Sequence, residues 1–230
     1  MRQIFILVWL LSFTQISFTQ KDMSQGSITL EIIDVQSDDP QMQQYGAMMK
    51  GSKNSMTFNQ SYHLSETEMM GGMMTIVVKV DQEKKMMDML FSMMGNKYWV
   101  ESSTETLKTQ KEKDIAKLTK LTFDKTKTKN ILGYECYEMT IENPEMEDMK
   151  VTGYITESIK SKANTIRNFE DLELPGFPLG YSINAKGMTL IFEATSISEN
   201  VDVNKFDLNT TGFTKMTMEE FQSKMGTFGG

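Results

Sequence analysis

The chain has 230 residues, with 24 Lys and Arg against 31 Asp and Glu and a formal net charge of −7. No basic run interrupts that acidic background, which argues against nucleic acid and anionic lipid headgroups as partners. Its one cysteine, Cys136, cannot close an intrachain disulfide, and one cysteine with one histidine, His63, excludes a conventional zinc site.

The first residues read as an export signal. Met1-Arg2 supplies one positive charge, Ile4 to Leu11 a short apolar core, and Ser12 to Gln20 a polar run. The apolar run falls far below the roughly 20 residues that cross a bilayer. Ser17 and Thr19 put small side chains at the positions that precede a cut before Gln20. The expected organisation is a signal peptide over 1–19 and one β-rich domain over 20–230. No cysteine follows the apolar core to accept a lipid anchor, and no later stretch is long and apolar enough to span a membrane. The expected product is soluble, not lipidated, and periplasmic or secreted.

Ser27 to Val35 reads as a strand, with Ile28, Leu30 and Ile32 on one face. Asp38-Asp39-Pro40 predicts a short helix with Met42, Tyr45, Met48 and Met49 on its packing side and Gly51 at its end. Further strands are expected over Met56 to Ser65 and over Met73 to Val80, the latter with Met74, Ile76, Val78 and Val80 facing one way. Asp81 to Lys84 makes a polar turn. Met86 to Ser92 has helical as well as strand spacing, and its shortness between turn signals favours a strand.

Lys97 to Glu101 is expected as a strand, with Tyr98 and Val100 alternating against Lys97 and Trp99. Thr104 to Lys117 is charged without an apolar face and reads as a solvated loop or frayed helix. Strands resume at Ala116 to Asp124, Tyr134 to Ile141, Val151 to Thr156 and Met188 to Ile197, the last with Met188, Leu190, Phe192 and Ala194 on one face. Thr217 to Glu220 has the pattern of a capping box, with Met216 and Phe221 placed for a hydrophobic staple and Gly226 as the stop. The fold class is mainly β (α+β): a long antiparallel sheet, with a helix near each end, curled into a barrel or half-barrel.

Three stretches carry a family likeness: Met69 to Val78 with Lys97-Tyr98-Trp99; Lys127 to Cys136; and Gly153 to Thr156 with Leu174 to Leu179. Together they resemble an uncharacterised family of secreted domains from Gram-negative bacteria, related to the GLPGLI family and more distantly to the LolA and LolB lipoprotein carriers. The Lys-x-Ile-Leu-Gly-Tyr-x-Cys segment is the most specific of them. The resemblance implies a half-barrel closed by helices around an apolar cavity, no catalysis, and no site residues that transfer one by one.

Candidate chemistry is sparse. His63 lies mid-strand, no nucleophile motif accompanies it, and it is expected as a surface residue. Cys136 is expected as a small buried strand residue rather than a reactive thiol. Glu142, Glu145, Glu147 and Asp148 read as a solvated acidic turn. The 22 methionines, dense at Met69 to Met74 and Met86 to Met94, make Cu(I) binding an alternative, weighed against methionine as an adaptable core or pocket lining and against their spread along the chain.

The leading expectation is a non-enzymatic protein that holds a lipid or a lipoprotein acyl chain in a cavity lined by Met74, Ile76, Val78, Tyr98, Val100, Leu190 and Phe192. It has no cofactor and no resident metal. The alternatives are an interaction or structural module without a ligand, and the Met-rich copper protein. The sequence leaves the oligomeric state open.

Overall fold

The computed structural model describes residues 22–104, 118–146, 149–161, 166 and 172–228. The expected signal peptide and all but the first residue of the charged Thr104 to Lys117 segment lie outside these, as do Glu147 and Asp148. In chain order the elements are β1 (Gly26–Ser37), α1 (Pro40–Met49), β2 (Lys53–Phe58), β3 (Tyr62–Met69), β4 (Met74–Asp81), β5 (Met86–Met93) and β6 (Asn96–Ser103). They continue with β7 (Lys120–Ile131), β8 (Tyr134–Glu142), β9 (Met149–Thr156), β10 (Phe177–Ala185), β11 (Met188–Ser198), β12 (Thr214–Met216) and α2 (Met218–Phe228).

The twelve strands among the described residues form one mixed sheet in the order β12-β6-β5-β4-β3-β2-β1-β11-β10-β9-β8-β7. Two antiparallel meanders, β1 to β6 and β7 to β11, are joined where β1 pairs β11. The short β12 adds in parallel to β6. The sheet is not closed into a barrel; β12 and β7 are its edges.

It is nevertheless strongly coiled. Strands sit about 4.8 Å apart in a flat sheet, so β7 and β11, four places apart, would be far out of reach of each other. Yet Lys129 on β7 donates to Glu193 on β11 at 2.5 Å. Phe58 on β2 likewise stacks on Phe177 on β10, three places away, at 6.5 Å between ring centroids. This coil encloses the main core, in which Ile28, Leu30, Met139, Ile141, Val151, Ile155, Phe177 and Leu179 are almost fully buried.

Local chemistry explains most boundaries. Asp39 accepts from the Gln41 N–H at 2.8 Å and Pro40 opens α1, the capping that Asp39-Pro40 predicts. Leu132-Gly133 and Lys186-Gly187 hold positive φ at both turn positions, the two-residue geometry that suits a tight hairpin. At the C-terminal helix, Glu220 N–H donates to Thr217 Oγ1 at 3.2 Å and Thr217 N–H to Glu220 Oε2 at 2.9 Å, so the expected capping box forms.

Several expectations need correcting. The strand expected over Met56 to Ser65 is a hairpin of β2 and β3. Asn59 breaks it, because its side-chain oxygen accepts from the N–H groups of Ser61 and Tyr62 at 2.9 and 2.8 Å. β7 continues past Asp124 to Ile131 after a bulge whose register passes from Asp124 opposite Glu138 to Thr128 opposite Tyr137. β10 is not among the strands expected from the sequence, which carries Gly176, Pro178 and Gly180 here. Pro178 is accommodated beside a register shift.

Gly226 does not end the last helix, which runs on to Phe228. On α1 the buried residues are Gly46 and Met49, whereas Met42, Tyr45 and Met48 are exposed. A Cβ at Gly46 would fall 2.2 Å from Val35 Cγ1. The helix therefore docks on the sheet through its glycine and turns three of its larger apolar residues outward.

Candidate functional site

Pairing register shows which side chains share a face. Met74, Ile76, Val78 and Val80 on β4 stand opposite Met93, Phe91, Met89 and Met87 on β5. Phe91 and Met89 stand opposite Tyr98 and Val100 on β6. Followed through β3, β2 and β1, the same face reaches Leu30 and Ile32 and then Ala194 and Phe192 on β11, with Leu190 two residues on. All seven residues expected to line a cavity thus lie on one face of one sheet.

They do not form a single cluster. Five of them, with Met87, Met89, Phe91 and Met93, make an apolar field on β4 to β6. Every residue of β4 is half-buried. The sequence reading favoured a strand here, yet it placed none of the four alternating β5 members, Met87, Met89, Phe91 and Met93, in the lining. Leu190 and Phe192 lie across β1 to β3 from this field, and Phe192 stacks on Tyr181 at 4.7 Å.

Helix α2 covers the β6 side of the field. Phe221 meets Phe91 at 5.4 Å and Tyr98 at 6.3 Å between ring centroids, both edge-on. Lys224 Nζ lies 5.7 Å from the centre of the Tyr98 ring. Val100 is fully buried. It is part of the packing and offers no surface to a ligand. Met74, Ile76 and Val78 stay partly accessible.

Between the field and the main core runs a polar row on the same face. His63, Ser65 and Thr67 on β3 stand opposite Val80, Val78 and Ile76. Asn54 Nδ2 donates to Ser65 Oγ and Thr67 Oγ1 at 2.9 and 2.7 Å. Two buried polar atoms here, Asn54 Oδ1 and His63 Nδ1, have no hydrogen-bond partner among the described residues. His63 is half-buried, with its Nδ1 shielded, rather than the surface residue expected. It sits beside Phe58 and Val80, and burial pushes its pKa down to about 4, which keeps it neutral at pH 7.

Cys136 is fully buried, as expected, and burial pushes its thiol up to about 12. Glu142 and Glu145 are exposed, and Lys150 pairs with Glu142 at 3.2 Å. Among the described residues no three His, Cys, Asp or Glu side chains converge on a metal position, and no helix is long and apolar enough to cross a membrane. Two open surface clefts have none of the field residues in their lining. One, of about 420 Å³, is lined by Glu101, Ser102 and the start of α2; the other, of about 600 Å³, by Leu132, Tyr134, Ser196, Ile197 and Glu199.

No family model matches the sequence, and no curated protein matches it. Solved structures that the chain resembles at a distance include the lipoprotein LppX of Mycobacterium tuberculosis, with TM-score 0.37, 10% identity, and 79% of this chain and 90% of that one covered. LprF from Mycobacterium bovis gives 0.32, 10%, 80% and 93%. A DUF1329 family protein from Desulfovibrio piger gives 0.31, 10%, 84% and 90%. Likenesses this distant carry no function across to this chain.

Proposed function

We propose that the chain is a non-enzymatic binding protein of the periplasm or extracellular space, and that the field on β4 to β6 receives an apolar ligand, such as the acyl chain of a lipid or lipoprotein. The observation that carries this reading is the run of four opposed apolar pairs from Met74–Met93 to Val80–Met87, whose β4 members all stay partly accessible. Methionine suits such a surface because its flexible, polarisable side chain adapts to an irregular occupant. Each methylene removed from water contributes about 0.8 kcal/mol, so about ten methylenes must be buried along the field for micromolar affinity. Met74, Ile76 and Val78 are the contact residues in this reading. Tyr98 borders them, and Leu190 and Phe192 serve only a ligand long enough to cross the polar row.

Native mass spectrometry of protein purified after export, with titration of a fluorescent acyl probe, tests the proposal. A co-purified lipid, and a probe affinity weakened roughly tenfold by Ile76→Glu, are the expected results. Absence of both lipid and saturable probe binding overturns it.

A second reading, an interaction module with a solidly packed sheet, draws on the burial of Val100 and of Phe91, on which Phe221 of α2 packs. It expects no probe binding by either the native chain or the Ile76→Glu variant.

A further inference from the structure

Two methionine runs that are separate in sequence meet at one end of the sheet. β3 and β4 are joined through a single 3₁₀ turn, Met70–Gly72, and β5 and β6 through Met94 and Gly95, both with positive φ. Met69 stands opposite Met74, and Met74 opposite Met93. Three methionines therefore form a row on one face across three neighbouring strands, with Met70, Met73 and Met94 in the turns beside them.

Directly opposed residues on neighbouring strands have Cβ atoms about 4.5–5.5 Å apart. A methionine has three rotatable bonds before its methyl, enough for Met69 and Met93 to bring their sulfurs toward that of Met74. Burial does not account for the cluster. Met69, Met74 and Met93 are only half-buried, while Met73 is 54% and Met94 81% exposed. With no converging His, Cys, Asp or Glu group among the described residues, the donors here are neutral thioethers alone. Such soft donors select a soft ion such as Cu(I) over Zn²⁺, Mg²⁺ or Ca²⁺. The spread along the chain that counts against copper in the sequence does not apply to these six residues, because folding gathers them.

We propose that Met69, Met74 and Met93, supplemented by Met73 or Met94 from the turns, form a binding site for a soft univalent metal ion of the Cu(I) class at the tip of the two hairpins. The site shares Met74 and Met93 with the acyl-binding field but does not depend on it, since metal titration without lipid reads it separately.

The test is titration of the purified protein with Ag(I), a redox-inert stand-in for Cu(I), in chloride-free buffer without added thiols. One equivalent should bind with a dissociation constant at the micromolar level or tighter. The affinity should survive Cys136→Ala and the control Met42→Leu/Met48→Leu on α1. It should fall at least tenfold in Met69→Leu/Met74→Leu/Met93→Leu. If that triple variant does not fold, methyl-¹³C-methionine NMR of the native chain replaces it, and Ag(I) should move the tip methyls first. Absence of saturable binding, binding that vanishes with Cys136, equal weakening by the control, or methyl shifts centred elsewhere would overturn the site.

Discussion

Phe221 of α2 meets Phe91 of β5 edge-on, with ring centroids 5.4 Å apart and the planes at 68°. Through this contact, and a second one to Tyr98, the C-terminal helix is held against the apolar face. Phe221→Ala should lower stability by about 2 kcal/mol, less than a fully buried phenylalanine would cost because Phe221 is half-buried. Urea unfolding reads the loss, and fluorescence of an apolar dye should rise at the same time as the face opens. An unchanged urea midpoint would mean that other contacts hold α2.

Gly46 has the opposite sensitivity. In an isolated helix alanine is favoured over glycine by about 1 kcal/mol, but here the added Cβ meets Val35 Cγ1 at 2.2 Å. Gly46→Ala should therefore destabilise, by about 1–3 kcal/mol. Val35→Ala should recover part of that loss in the double variant, a coupling a double-mutant cycle measures. Gly46→Ala acting as a stabilising change would show that α1 does not dock through this residue.

His63 predicts a pH dependence. Its folded pKa of about 4 lies below the ordinary 6.5, so between these values the unfolded chain binds the proton and the folded one does not. The stability from this group is complete above about pH 6.5 and is lost as pH falls toward 4, in total on the order of 3 kcal/mol. His63→Gln should flatten that part of the stability curve while carboxylate titration continues below it. Parallel curves for the two proteins would show that burial does not hold His63 neutral.

Cys136 should be silent toward thiol reagents in the native state. It is fully buried and its thiol is pushed up to about 12, so little thiolate exists near neutrality. A chromogenic disulfide should label it only at the rate of opening, and at once in denaturant. Prompt labelling of the native protein would place the thiol at the surface instead.

The sequence made alternating strands and capped helix starts legible, because those signals are local. β1, β4, β6, β9 and β11, the Asp39 cap and the Thr217–Glu220 box all follow from spacing alone. What escaped it depends on partners. β10 is tolerated with its proline only because a register shift against β9 accommodates it, and the orientation of α1 depends on how closely Gly46 approaches Val35. The candidate face was legible as separate stripes on β4, β6 and β11. That β5 joins β4 to β6 across one surface, that α2 covers part of it, and that a polar row divides it are consequences of register, which no single stripe contains.

The pairing of β1 with β11 bears on how the chain acquires its structure. Ser27 lies opposite Ser198 and Ile32 opposite Phe192, so one side of β1 waits for β11 to be synthesised. Until β11 arrives, the first meander has an open hydrogen-bonding edge in β1 and incomplete cover for Ile28 and Leu30. Long-range closures of this kind slow folding and leave partly assembled chains prone to association. A chain truncated before Met188 would keep every local turn of the first six strands and still lack the seam that makes them part of one sheet.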